Sequence, residues 1–165
     1  MIPHPDNKST PINCAVITVS DTRTIETDKS GKLIQQLLID ADHNIVIYDI
    51  VKDEPLDIQK WLVKFDDNSE LEAVILNGGT GIAPRDTTYD VVSAWLEKTI
   101  PGFGEIFRYL SYQEIGSRAI ASRAVAGVKN QKLFFSLPGS SNAVRLAMTE
   151  LILPELNHLV RQIKK

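Results

Sequence analysis

The densest chemistry in the sequence is the run Asn77-Gly78-Gly79-Thr80-Gly81-Ile82-Ala83-Pro84-Arg85-Asp86-Thr87. Three glycines in four positions let the backbone take positive φ and let a ligand come close to it. Successive N–H groups in such a run can cradle an anion, and a helix that starts just beyond adds a favourable dipole. No Gly-Lys-Ser/Thr follows and the spacing is not GxGxxG, so neither a Walker A loop nor a dinucleotide fingerprint is present. A tight structural turn would use the same glycines, and both readings stand at this point. Asp86 closes the run, and Asp53 ends an earlier apolar segment. A carboxylate beside a phosphate cradle repels the phosphate unless a cation intervenes. Two such carboxylates point to Mg²⁺ bridging to substrate phosphates. Taken singly, each also suits a plain role, Asp86 at a helix start and Asp53 in a turn, and the plain role is preferred.

A second loop, Leu137-Pro138-Gly139-Ser140-Ser141, repeats the strand–glycine–helix logic. Gly139 permits close approach, and Ser140 can donate to a phosphate or, more simply, cap the helix. Glu105 and Arg108 stand three apart and share a helix face, as a surface pair or with Arg108 reaching an anion. His4, His43 and His158 lack zinc-ligand spacing, and no GxSxG elbow occurs. The single cysteine, Cys14, lies in an apolar run and reads as a small buried hydrophobe. One cysteine excludes an internal disulfide framework and a cysteine-only metal cluster.

The elements that must position these residues follow from periodicity. Residues 12–20 and 45–51 read as strands, and 71–76 as a third that runs into the glycine loop. A helix capped by Thr27 or Asp28 reaches about residue 42, with Leu33, Ile34, Leu37, Leu38 and Ala41 on one stripe. Further helices are predicted over 56–65, over 88–98 with Thr87 as N-cap and Asp90 three residues on, and over 101–115. Segments 125–128 and 133–137 flank Lys129-Asn130-Gln131-Lys132 and pair as a hairpin. A last helix, capped by Ser140 or Ser141, is kinked or broken at Pro154. Alternating strands and helices imply an α/β fold: three layers, α/β/α, with a mostly parallel sheet covered on both faces. In such a sheet ligands sit at the carboxyl ends of the strands. The loops carrying Ser20-Asp21, Lys52-Asp53-Glu54, Gly78 to Asp86 and Pro138 to Ser140 then share one rim.

The 165 residues form one domain over 12–165 behind a flexible polar arm over 1–11 that contains Pro3, Pro5 and Pro11. A hydrophobic share of 43% supports an ordinary globular core. With a net charge of −3 no global field favours nucleic acid. No apolar run is long enough to span a bilayer and the arm lacks an apolar signal core, so a cytoplasmic, membrane-free protein is expected.

Together the segments VITVSDTR, SGKLI, LNGGTGIAPRDTTYDVV, PGFGEIFR and LFFSLPGSSNAV resemble the MoaB/MogA family of molybdenum cofactor biosynthesis, whose pattern is shared by the gephyrin G domain and CinA-type domains. The resemblance runs from about residue 14 to residue 153. The Thr-Thr-Tyr-Asp run, Ala-Ser-Arg-Ala-Val-Ala-Gly-Val and the Leu-Pro-Gly-Ser-Ser-Asn loop look more like the MoaB branch. It implies a trimeric or hexameric α/β/α protein that binds molybdopterin at the strand rim and, in active members, adenylylates its terminal phosphate with ATP and Mg²⁺. Carried over by motif, Asp53 and Asp86 are the catalytic, Mg²⁺-linked carboxylates. Gly78, Gly79, Thr80 and Gly81 become the phosphate loop, Pro138, Gly139 and Ser140 the second ligand loop, and Ser20 and Asp21 the loop after the first strand. In that context a joint role for the two aspartates outweighs two turn residues. The alternatives are a non-catalytic molybdopterin carrier, a CinA-like nucleotide pyrophosphatase, and a structural oligomer whose glycine loops pack at subunit contacts.

Overall fold

The computed structural model describes residues 10–165; the expected arm lies, up to residue 9, outside the described residues. Thr10 is tied down, its amide and hydroxyl both reaching Asn157 Oδ1. The strands are β1 (Asn13–Val19), β2 (Asn44–Val51), β3 (Ala73–Asn77), β4 (Lys98–Thr99), β5 (Val125–Lys129) and β6 (Lys132–Leu137). The helices are α1 (Lys29–Asp40), α2 (Pro55–Asp66), α3 (Thr88–Trp95), α4 (Pro101–Ile115), α5 (Ser141–Ala147) and α6 (Leu153–Ile163).

Among the described residues the strands form one six-stranded sheet in the order β2-β1-β3-β6-β5-β4. β2, β1, β3 and β6 run parallel, and the β6–β5 and β5–β4 pairs are antiparallel. β1, β3 and β6 are buried on both faces because both faces are covered, whereas β2 at the sheet edge stays partly exposed. Cys14, Val16, Ile75 and Phe135 face a core shared with α1, α4, α5 and α6. Their neighbours Ala15, Ile17, Val74, Leu76 and Phe134 face a second core under α2 and α3. This period-two division of the strand side chains produces the three layers. Each fully buried Leu, Ile or Phe contributes about 1.5–3 kcal/mol. Cys14 is one of these buried groups, and burial, seconded by the Glu72 charge, pushes its thiol up to about 12, where it stays protonated.

Local signals set the ends. Asp28 caps α1 by accepting from the Gly31 amide, and Ser140 caps α5 by accepting from the Ala143 amide. Asn130 and Gln131, both at positive φ, make the tight turn of the β5–β6 hairpin. Three expectations are corrected. Thr87 makes no side-chain cap on α3, because its hydroxyl is taken by Asp53. The helix ends at Trp95 rather than at 98, because Lys98 and Thr99 leave it to pair with β5. At Pro154 the last helix is not broken. A π-helical turn over Met148–Ile152 absorbs the step, and Pro154 falls in the first turn of α6, where its missing N–H costs least.

Candidate functional site

The register lines up the carboxyl ends: Thr18 of β1 pairs with Asn77 of β3, and Asn77 with Leu137 of β6. All four loops therefore leave one edge of the sheet. A buried polar network locks that edge. Asn77 Nδ2 donates to Thr18 Oγ1 at 2.9 Å, and Ser30 Oγ donates to Asn77 Oδ1 at 2.7 Å. Asp28 accepts from Thr18 Oγ1 at 2.5 Å and from Tyr48 OH at 2.8 Å. Burial opposes the charge on Asp28, yet the bonds from Thr18, the Gly31 amide and Tyr48, with the Arg23 charge, outweigh it and hold the carboxyl below its usual range. Arg23 leaves this network to donate through Nη2 to Gly139 O at 3.1 Å, joining the first loop to the last. On the outer side Arg85 bridges Asp21 at 2.8 Å and Glu54 at 2.6 Å, and the Arg85 hydrogen bond draws Asp21 below the usual carboxylate range.

The glycine loop needs its glycines. Gly78 sits at φ +100, and a Cβ there would lie 2.2 Å from Val19 O. Gly79, at φ +63, would drive a Cβ to 2.1 Å from Thr88 Oγ1 and 2.5 Å from Asp53 Oδ2. A Cβ on Gly139 would lie 3.1 Å from Gly78 Cα, so the two ligand loops touch backbone to backbone. Between them opens a cleft of about 390 Å³, a size suited to a small-molecule ligand. Gly78, Gly79, Thr80, Gly81, Asp86, Pro138, Gly139 and Ser140 all line it. Phe107 and Ile115 of α4 form an apolar wall, and Arg118 supplies the cleft's basic group. The amides of Gly79, Thr80 and Gly81 donate to nothing among the described residues, whereas the Gly78 amide is taken by Leu137 O at 2.9 Å.

The other expected site residues stand outside this cleft. Asp53 is buried behind Gly79, its Oδ1 accepting from the Thr87 amide at 3.1 Å and the Thr87 hydroxyl at 2.8 Å. Its own amide donates to Asp21 Oδ1. Ser20 and Asp21 line a neighbouring hollow with Arg23 and Lys52. Glu105 and Arg108 line another, with Tyr89, Ser93 and Thr99. Asp86 Oδ2 accepts from the Ala83 amide at 3.1 Å. Among the described residues no group of three or more His, Cys, Asp or Glu side chains converges on a metal position.

Three residues that the sequence did not single out also bear on the cleft. Arg118 and Ser122 line the cleft, and the Ser122 hydroxyl is buried with no hydrogen-bond partner. Arg123 grips the back of the glycine loop through bonds to the carbonyls of Thr80, Gly81 and Asp86. Their segment stands out only through the family pattern, because the contacts cross some forty residues of chain and leave no local periodicity.

A family profile described as a probable molybdopterin binding domain matches residues 15–158. The molybdenum cofactor biosynthesis protein B of Halalkalibacterium halodurans is 56% identical over 155 residues, covering 93% of this chain and 91% of that one. A crystal structure of a molybdenum cofactor biosynthesis protein B superposes with a TM-score of 0.93 at 49% identity, over 96% of this chain and 99% of that one. The tungsten cofactor synthesizing protein MoaB of Pyrococcus furiosus superposes with a TM-score of 0.85 at 34% identity, over 96% and 100% of the two chains. Domain profile, sequence relatives and fold agree over nearly the whole chain, which belongs to the MoaB/MogA family of molybdenum cofactor biosynthesis proteins and carries its molybdopterin-binding domain.

Proposed function

We propose that this protein binds molybdopterin in the cleft between the glycine loop and the Pro138–Gly139–Ser140 loop, and that it adenylylates the terminal phosphate of molybdopterin with ATP. The supporting observation is that a run of free amides and a carboxylate, Asp86, line the same cleft. In the reaction a phosphate oxygen of molybdopterin forms a bond to the α-phosphorus of ATP, and the α–β phosphoanhydride breaks to release pyrophosphate. Such a transfer asks the protein chiefly for positioning and charge stabilisation.

Mg²⁺ fits the chemistry of the donors present. The ion is commonly held by one or two carboxylates, with substrate phosphates and water completing its shell, so a three-residue cluster is not required. Asp86 is the residue that would hold it; bound there, the ion would neutralise phosphate charge. Asp53 acts from behind, fixing Thr87 and with it the descent of the loop into α3. The free amides of the glycine loop take phosphate oxygens, Ser140 adds a hydroxyl at the helix start, and the exposed Ile115 offers apolar surface to the pterin, with the buried Phe107 behind it. A cytoplasmic location and a homo-oligomeric state, trimer or hexamer, belong to the same proposal.

The test is incubation of purified protein with molybdopterin, ATP and Mg²⁺, following pyrophosphate and adenylylated pterin. Product should form, and Asp86→Asn should lower its rate roughly a hundredfold. Tight molybdopterin binding without pyrophosphate release would replace this proposal with a carrier function. That second reading draws on one observation: Asp53, expected to be catalytic, is committed to Thr87 rather than lining the cleft.

A further inference from the structure

We propose that Arg123 is the positioning residue that turns the glycine loop into an anion cradle; the identity of the anion rests on the function proposed above. The guanidinium does not line the cleft. It lies against the loop's backbone and collects carbonyl oxygens: Nε donates to Thr80 O at 3.2 Å and to Gly81 O at 3.1 Å, and Nη2 donates to Gly81 O at 2.7 Å and to Asp86 O at 3.1 Å. Nη1 is held by both oxygens of Asp90, at 3.0 and 3.1 Å, and the guanidinium carbon stands 4.8 Å from the centre of the Tyr89 ring. The planar fork, fixed by α3 on one edge, presents its remaining donors to the loop.

Peptide geometry carries the consequence. In a trans peptide the carbonyl of one residue and the N–H of the next point in opposite directions. Drawing Thr80 O and Gly81 O onto Arg123 turns the N–H groups of Gly81 and Ile82 to the other side of the loop. Thr80 and Gly81 line the cleft on that other side, and neither of these amides has a partner among the described residues. Drawing in Asp86 O likewise turns the next amide, that of Thr87, onto Asp53 Oδ1. One side chain thereby orients the anion-facing amides and the support of the buried aspartate. A loop with several positive-φ or glycine positions has many alternatives of similar energy. The clamp selects the one that presents donors, so that less ordering remains to be done when an anion binds.

The preceding residue adds to the case. Ser122 is extended, at φ −81 and ψ 119, so its side chain and that of Arg123 project to opposite sides. With Arg123 behind the loop, Ser122 lines the cleft.

The experiment uses the whole protein without ligand, and then with inorganic pyrophosphate as probe. Hydrogen exchange is followed at Ala83, Asp86, Thr87 and Thr88, whose amides are bonded within the loop or to Asp53. In Arg123→Ala these amides should exchange about tenfold faster while core strands keep their protection, and pyrophosphate affinity should fall about tenfold. Added guanidinium ion at non-denaturing concentration should restore both. Arg123→Lys, which keeps the charge but not the fork, should resemble Arg123→Ala, and it serves with Asp90→Asn should the alanine variant not fold. Unchanged exchange in these variants, unchanged pyrophosphate affinity, or a lysine variant equal to the parent would overturn the proposal, as would a parent protein that does not bind pyrophosphate. Molybdopterin binding by the parent, measured separately, reports on the function itself and does not depend on these variants.

Discussion

At the scale of single residues the site depends on atoms that are absent as much as on atoms that are present. Gly79 has no Cβ where Thr88 Oγ1 and Asp53 Oδ2 both press in, and Gly139 has none where Gly78 passes. Ser122 is the converse case. Its buried hydroxyl has no partner, and a buried polar group in that condition weighs against the folded state. Ser122→Ala should therefore leave the melting temperature unchanged or slightly raised, while molybdopterin affinity falls about tenfold if the hydroxyl donates to the ligand. Calorimetry on the one protein pair reads both quantities, and a loss of stability with no loss of affinity would contradict the assignment. The glycines and Asp86 were legible in the sequence because they are neighbours in it. Arg123 and Arg23 were not: Arg23 reaches Gly139 across 116 residues, and no window of sequence holds both ends of that bond.

At the scale of elements the main lines of the fold were open to reading. Continuous apolar strands and a helical stripe of Ile34, Leu37 and Leu38 announced a covered parallel sheet, and the structure has it. β4 escaped notice because it is two residues long, exposed, and begins with a lysine, so it lacks both alternation and hydrophobicity. Its existence depends on β5 rather than on its own sequence. The hairpin shows the opposite balance. Asn130 is at ease at φ 45, whereas Gln131 at φ 59 bears the strain of a left-handed conformation. Gln131→Gly should relieve it and, after Gly's own entropic cost, raise stability by about 0.5–1 kcal/mol without touching ligand binding. Urea unfolding would show the gain as a higher midpoint with an unchanged slope.

At the scale of the whole molecule α4 divides its labour. Phe103 and Phe107 face the core, while Ile106, Tyr109, Tyr112 and Ile115 lie half exposed or more, followed by Ile120 at 88%. No helix among the described residues is long and apolar enough to cross a membrane. Under the proposed oligomeric state this face is covered by a second copy of the chain. Light scattering should then give the mass of a trimer or hexamer, and Ile106→Glu with Tyr109→Glu should shift the protein to monomers that retain their fold. A parent protein that runs as a monomer at micromolar concentration would remove the oligomer from the proposal. Ile115 belongs both to this face and to the cleft wall, so dissociation should also weaken ligand binding.

The strand order carries a consequence for how the chain acquires its shape. β6 is the last strand in sequence, yet it lies inside the sheet between β3 and β5, and β4 and β5 reach the rest of the sheet only through it. A nascent polypeptide emerging from the ribosome can dock β2, β1 and β3 as they appear, but β3 stays an open edge until residues beyond 132 have left the exit tunnel. Throughout that interval β5 and its hairpin partner cannot pair, and α4 has no β6 surface to pack against. The two glycine-bearing loops meet only when β6 slides into place. The ligand cleft is thus among the last features completed, and during synthesis the exposed surface is the flank of β3 that β6 later covers.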